Sequence, residues 1–314
     1  MTSAQPPGGA RTLLHRGLVL PALAFVLLCL VWGYSWVLLK IGLIDAAPFD
    51  FAALRTLLAA CLMLLGLPLL GRPLATHRWR ELFMLGLLNT VGPMGCSQWA
   101  LVEGAANRTS ILMYTMPFWT LLLARPLLGE RVQGLQWLAV AAAGGGLLCV
   151  LRPWGEGGTT ASSLVAMLGA VFWAGSVIMV KRMLAREPMD LLALTAWQML
   201  LGALVLGAIA IGVDAEPVRW TQRFVLVLTV TAIVSTGCGW ALWVYLLHVL
   251  PAGTASLMTL MVPVIAVVAT SWQLGERLAT ADVWGIALIV AGLAVLATQA
   301  LIAHRSVTGV AAAE

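Results

Sequence analysis

Charge is what this chain most lacks. Its 314 residues include 18 Lys or Arg and 13 Asp or Glu, together 10%, against 61% hydrophobic residues. Soluble domains carry about 25% charged residues. Water cannot solvate so apolar a surface, so the expected partner is a lipid bilayer. The net charge of +5 is spread over the connections and forms no basic stripe, which argues against nucleic acid as a partner. Cysteine is sparse too. Cys29, Cys61, Cys96, Cys149 and Cys238 all lie in apolar runs with no C-x-x-C pair, which argues against a disulfide framework or a metal site. No H-E-x-x-H or G-x-S-x-G motif occurs, and no Asp or Glu lies in the middle of an apolar run. The chain therefore offers no enzyme chemistry and no cofactor site. A proton-driven carrier commonly uses a buried carboxylate or histidine. Only His248, near a helix edge, could serve, and there it reads as a snorkelling edge residue before a proton carrier. Were the chain to carry a solute, this absence would favour facilitated transport or exchange.

What the chain does have is ten apolar runs of spanning length, at roughly 18–39, 51–70, 82–102, 105–128, 133–151, 162–182, 191–213, 222–249, 252–274 and 281–303. It also says nearly the same thing twice. Gly129-Glu130-Arg131 returns as Gly275-Glu276-Arg277, an offset of 146 that also joins Pro117 to Pro263 and Ser110 to Ser256. Trp32-Gly33-Tyr34-Ser35 is echoed by Trp173-Ala174-Gly175-Ser176, and Lys40 by Lys181 at an offset of 141. Repeats in an apolar chain are a signature of secondary transporters, whose substrate site lies between the halves. The expected organisation is a disordered cytoplasmic tail (1–17), a first five-helix repeat (18–151), a periplasmic linker (152–161), a second repeat (162–303) and a second tail (304–314).

Orientation follows from the basic residues. With the N-terminus in the cytoplasm, eleven Lys and Arg fall inside and six outside, and Arg55 lies within a run. Ten spans return the C-terminus to the cytoplasm. Five is odd, so the second half enters from the opposite side. The fold class is thus an all-α membrane protein of ten transmembrane helices in two inverted five-helix repeats.

Each half has a Trp-x-x-Ser start, a proline within its fourth helix and a Gly-Glu turn before its fifth. From about Leu18 to Ala303 this pattern resembles the EamA branch of the drug/metabolite transporter superfamily. The resemblance implies an inner-membrane carrier of small solutes, often an exporter of amino acids or related metabolites. A drug or nucleotide-sugar carrier shares the broader fold, and a non-transport membrane protein is the remaining alternative. Oligomeric state is not legible.

Candidate solute contacts are the polar and aromatic residues inside the spans: Trp32, Ser35, Trp36, Asn89, Gln98, Tyr114, Trp173, Ser176, Trp240 and Trp243. An aromatic wall holds an apolar body while a few polar groups orient it. The same residues also suit plain helix packing. They are expected around a cavity between the first, third, fourth, sixth, eighth and ninth helices, a set that owes part to the resemblance. Arg55 reads as a clamp for an anionic group or as a residue reaching the interface towards Asp50. In the repeat it faces Gln198. Lys40 and Lys181 are expected to complement the ends of their own helices. Glu130 and Glu276 are expected to cap the fifth helix of their own halves.

Overall fold

A computed structural model describes residues 9–74, 76–128, 134–151, 161–187, 189–249, 259, 261–281, 283–292, 294–295 and 298. The first Gly-Glu-Arg turn at 129–131, residues 152–160 of the linker, Gly253, Thr254 and Ser256, the tail 304–314 and the His248 side chain lie outside the described residues. Among the described residues the chain is helical without strands.

Helix α1 spans Gly9–Gly42 and α2 Pro48–Leu69. The third expected span is one continuous helix in three parts: α3 (Trp79–Gly86), a π-helical segment π1 (Leu87–Gly95) and α4 (Cys96–Glu103). Then come α5 (Ala106–Met113), α6 (Met116–Leu128) and α7 (Gln136–Leu151). The second half runs α8 (Ala161–Arg186), α9 (Leu191–Gly212) and α10 (Gln222–Val230), followed by a second π segment π2 (Thr231–Cys238), α11 (Gly239–Val249) and α12 (Met261–Gln273). A last apolar helix covers Val283–Gly292. Among the described residues, five helices are long and apolar enough to cross a bilayer: Leu20–Gly42, Pro48–Leu69, Ala161–Arg186, Leu191–Gly212 and Gln222–Trp243.

Helix ends follow local chemistry. Pro48 occupies the first turn of α2, where a missing N–H costs nothing. Asp190 caps α9, accepting from the Leu192 and Ala193 amides at 3.0 and 2.9 Å while holding Arg72 at 3.0 Å. Thr221 caps α10 through the Phe224 amide at 3.1 Å. Pro117 differs from expectation. It does not kink a continuous helix: a turn at Tyr114-Thr115 separates α5 from α6, and Pro117 lies in the first turn of the new helix. Pro263 likewise lies in the first turn of α12, after the turn residue Thr259.

The packing exchanges partners between the halves. Helix α2 lies along α9, its counterpart. Helix α1 packs on α12, π2 and α11, while α8 packs on α6, π1 and α4. The contacts that the first helix of one half makes in the other half are thus made in reverse by its repeat-mate. Small residues permit the closest crossing. A Cβ on Gly86 would lie 2.8 Å from the Gln198 carbonyl oxygen and 3.2 Å from the Gly202 amide nitrogen. Backbone cannot yield as a side chain can, so Gly86→Val is expected to cost about 1–3 kcal/mol. The check is a lowered melting temperature and membrane abundance, set against Gly207→Ala, where a Cβ meets open space.

Candidate functional site

The aromatic residues singled out by the sequence meet in one cluster at the junction of the halves. Trp32 and Trp36 of α1, Tyr114, Trp173 of α8, and Trp240 and Trp243 of α11 share it. Trp32 stands 5.7 Å from Trp240 and 6.1 Å from Trp243, centroid to centroid. Tyr114 meets Trp173 edge-on at 5.6 Å. Such pairs add about 0.5–1.5 kcal/mol beyond their buried area. Trp32 Nε1 donates to the Ser235 carbonyl at 3.0 Å, a carbonyl of π2. A helix widened by one residue per turn frees carbonyls in this way, and π segments often mark working sites. The Ser176 hydroxyl lies 2.9 Å from Asn89 Oδ1, in π1, and 2.7 Å from the Trp173 carbonyl. The Ser35 hydroxyl is turned back onto the Trp32 carbonyl at 2.7 Å. Gln98 is fully buried in α4 with neither amide atom partnered, and no described contact joins it to the aromatic cluster.

Arg55 is buried two turns into α2, and it bonds the other half: Nη1 donates to Thr236 Oγ1 in π2 at 3.1 Å. Thr236 is the neighbour of Ser235, so Arg55 and Trp32 converge on adjacent residues. No ion pair with Asp50 forms. The repeat-mate behaves alike. In α9, Gln198 Oε1 accepts from Thr90 Oγ1 in π1 at 2.8 Å. Sequence reasoning had paired Arg55 with Gln198 but had no signal for the threonines, beyond Gly92-Pro93 and Gly237 loosening the helices around them.

Two clefts flank this layer from opposite ends. One of about 600 Å³ is lined by Lys40, Asp45, Pro48, Leu101, Glu216 and Arg219. The other, of about 450 Å³, is lined by Leu88, Leu127, Gly175, Met179, Arg182 and Arg186. Lys40 is one turn, about 6 Å, beyond Trp36, and Gly175 and Leu88 adjoin Ser176 and Asn89. The clefts thus lie at the ends of the repeat-mates α1 and α8, with the packed aromatic cluster between. Trp32, Trp36 and Tyr114 are only 7%, 6% and 6% exposed, so these side chains are packed away from solvent and line neither cleft.

Beside the first cleft, one contact ties two helices of the first half together and another joins the halves. Lys40 Nζ bonds the Leu101 carbonyl and, at 2.8 Å, that of Gly104, gripping the end of α4. Glu276 bonds the Ala106 and Asn107 amides at 2.7 and 2.9 Å, capping α5. The cap expected within its own half is instead made across to the other. Gly275, with φ of 68°, lets the chain turn sharply enough after α12 to aim Glu276 there. One side chain thus satisfies the last carbonyls of the third span and another the first amides of the fourth.

Beside Lys40, Asp45 is almost wholly buried, 2.7 Å from Arg223 and 3.5 Å from Arg219. Burial alone would raise its proton affinity. The Arg223 and Thr221 hydrogen bonds and the charge of both arginines outweigh that, and hold the carboxyl below the usual carboxylate range. A depressed folded-state value stabilises the fold above the unfolded value, near 3.9, and that contribution is lost as pH falls through the folded one. Asp45→Asn is therefore expected to flatten the fall of melting temperature below about pH 4, measured by thermal scans from pH 6 to 3.

An all-helical, internally duplicated bundle with apolar spans and clefts at both ends defines a multi-pass membrane protein of the transporter class. The model of the EamA-like transporter family matches residues 19–152 and again 160–298, and the chain belongs to that family. It is 26% identical to the uncharacterized transporter YoaV of Bacillus subtilis, over 86% of this chain and 94% of that one. It is 28% identical to a probable amino-acid metabolite efflux pump of Salmonella typhimurium, over 85% and 91%. A riboflavin transporter of Rhizobium johnstonii is 30% identical over 62% of each chain. A solved crystal structure shares the fold with a TM-score of 0.64 at 21% identity, covering 91% of this chain and 98% of its own.

Proposed function

We propose that this protein is a secondary transporter that exports amino acids or related small metabolites by alternating access between its halves. The observation that carries the reading is the pair of clefts at the ends of repeat-mates α1 and α8, separated by one aromatic cluster. Opening either cleft through that cluster would expose the same residues to one side of the membrane at a time. The relatives' name of amino-acid metabolite efflux pump supports the solute class. In this reading the solute is held by Trp32, Trp36, Tyr114, Trp173, Trp240 and Trp243, oriented by Ser35, Asn89, Gln98, Ser176 and Arg55. With no carboxylate in mid-span, transport runs as facilitated flux or exchange.

The test is flux of labelled amino acids into proteoliposomes, with a flavin as the competing solute class. Trp36→Ala, Gln98→Ala and Trp173→Ala are each expected to change apparent affinity or rate at equal membrane abundance. Unchanged kinetics in all three would return these residues to helix packing.

The reading includes ten spans in inverted repeats with both termini cytoplasmic. In a cysteine-free background, Ala215→Cys is expected to react with an impermeant maleimide from outside intact cells, and His77→Cys only after permeabilisation. The reverse pattern would overturn the orientation.

A further inference from the structure

The buried arginine and its neutral repeat-mate give the site a direction. Arg72, Arg78, Arg186, Arg219 and Arg223 each reach a carboxylate. Arg55 reaches none among the described residues, although it is far more buried than most of these. Among the described residues its one hydrogen bond is to a neutral hydroxyl, and its Nε has no partner. A guanidinium removed from water without a counter-ion is costly, and natural proteins pair such charges or use them. At the corresponding place in the other half the chain carries Gln198, equally buried, which also meets a threonine of the opposite half, although there Thr90 donates and the Gln198 oxygen accepts, leaving its Nε2 without a partner among the described residues. The fold thus provides two like polar positions and makes only one cationic. The packing does not call for the charge, since a neutral glutamine meets the corresponding threonine opposite.

We infer that Arg55 and Thr236 form the carboxylate half of the solute site, so that the transported solute is an amphipathic carboxylate whose anionic group enters at the α2–π2 side. The inference rests on the transporter reading and narrows it. A carboxylate takes two parallel N–H bonds from a guanidinium, including one from the unpartnered Nε, and a third from the Thr236 hydroxyl. Ser235, next along π2, fixes Trp32 against Trp240, so an apolar body attached to that carboxylate meets indole faces directly. The Gln198–Thr90 side, without charge, takes the uncharged end.

Three probes that share one ring and differ in charge separate the possibilities: 3-phenylpropionate, L-phenylalanine and phenethylamine. Their effects on melting temperature and on counterflow exchange are measured with the purified full chain in lipid nanodiscs and proteoliposomes. Both carboxylates are expected to stabilise the wild type and to exchange, and the amine to do neither. Arg55→Gln is expected to weaken the carboxylates' effect at least tenfold, Arg55→Lys to keep part of it, and Thr236→Val to weaken it less. Without ligand, Arg55→Gln is expected to melt at or above the wild-type temperature, because an uncompensated charge has been removed. An arginine with a merely structural role would lower it. If Arg55→Gln is poorly folded, that alone contradicts the inference, and Thr236→Val still reports on the carboxylates. Phenethylamine acting equally well, with Arg55→Gln indifferent, would overturn the carboxylate half-site and leave the transporter standing. If neither carboxylate acts on the wild type while another solute is carried, the inference likewise falls. No flux of any solute would remove the transporter reading itself.

Discussion

Glu276→Ala is expected to raise the reactivity of a buried cysteine below the first cleft by about tenfold or more. The carboxylate accepts two hydrogen bonds from the leading amides of α5, reaching them from the turn after α12 in the other half of the molecule. A helix cap contributes about 1 kcal/mol, and a charge at the positive end of the helix dipole about 0.3–1 kcal/mol more. Together they shift the ratio of open to closed forms by about ten- to thirtyfold, since 1.4 kcal/mol is a factor of ten. Ser110→Cys, close in size to the original and fully buried in α5, reports that opening in a chain freed of its own five cysteines. Glu276→Gln, which keeps one acceptor but loses the charge, is expected to fall between. A labelling rate that stays at the parent value in Glu276→Ala would make this contact a simple cap with no part in opening.

The second large effect is predicted at Gly239. A Cβ built there would lie 2.3 Å from Trp32 Nε1 and 3.0 Å from its Cδ1, in the contact that sets the indole between Trp240 and the Ser235 carbonyl. The indole is large and boxed in by Trp243, so it must leave its place and its hydrogen bond. Gly239→Ala is expected to lower transport at least tenfold while the protein still reaches the membrane. The cost to stability is held down because alanine favours the helix over glycine by about 1 kcal/mol. Gly66→Ala, where a Cβ meets nothing within 4 Å, is the matched control and should transport normally. Normal flux in Gly239→Ala would show that the position of Trp32 is immaterial to the solute.

The sequence made the helices and the duplication plain because both are written in composition and spacing. Apolar runs of about twenty residues mark spans, and the family model likewise matches twice, over 19–152 and 160–298. The aromatics it singled out, Trp32, Trp36, Tyr114, Trp173, Trp240 and Trp243, share one hydrophobic cluster. What stayed hidden is whatever depends on a partner far along the chain. Lys40 looked like a complement to its own helix and serves the end of α4. Glu276 looked like a local cap and serves α5. Arg55 offered Asp50 as the obvious neighbour and took Thr236, 181 positions away. The π segments were illegible for a different reason. One extra residue per turn shifts the apolar stripe only slightly, and in a helix apolar on every side no stripe exists to be shifted.

The Glu276 contact also bears on how the protein is made. The first turn of α5 emerges from the ribosome 170 residues before the carboxylate that caps it. At synthesis rates of about 5–20 residues per second, its leading amides wait about ten to thirty seconds for their partner. During that interval the nascent first half holds an uncapped helix start at the membrane surface, met only by water or lipid headgroups. A first half made alone lacks that carboxylate, and two halves synthesised as separate chains in one cell are expected to restore the contact. Assembly of this bundle is therefore a reciprocal act, finished from the carboxyl-terminal side backwards, and a stop codon anywhere before Glu276 leaves the earlier half unfinished as well as the later one.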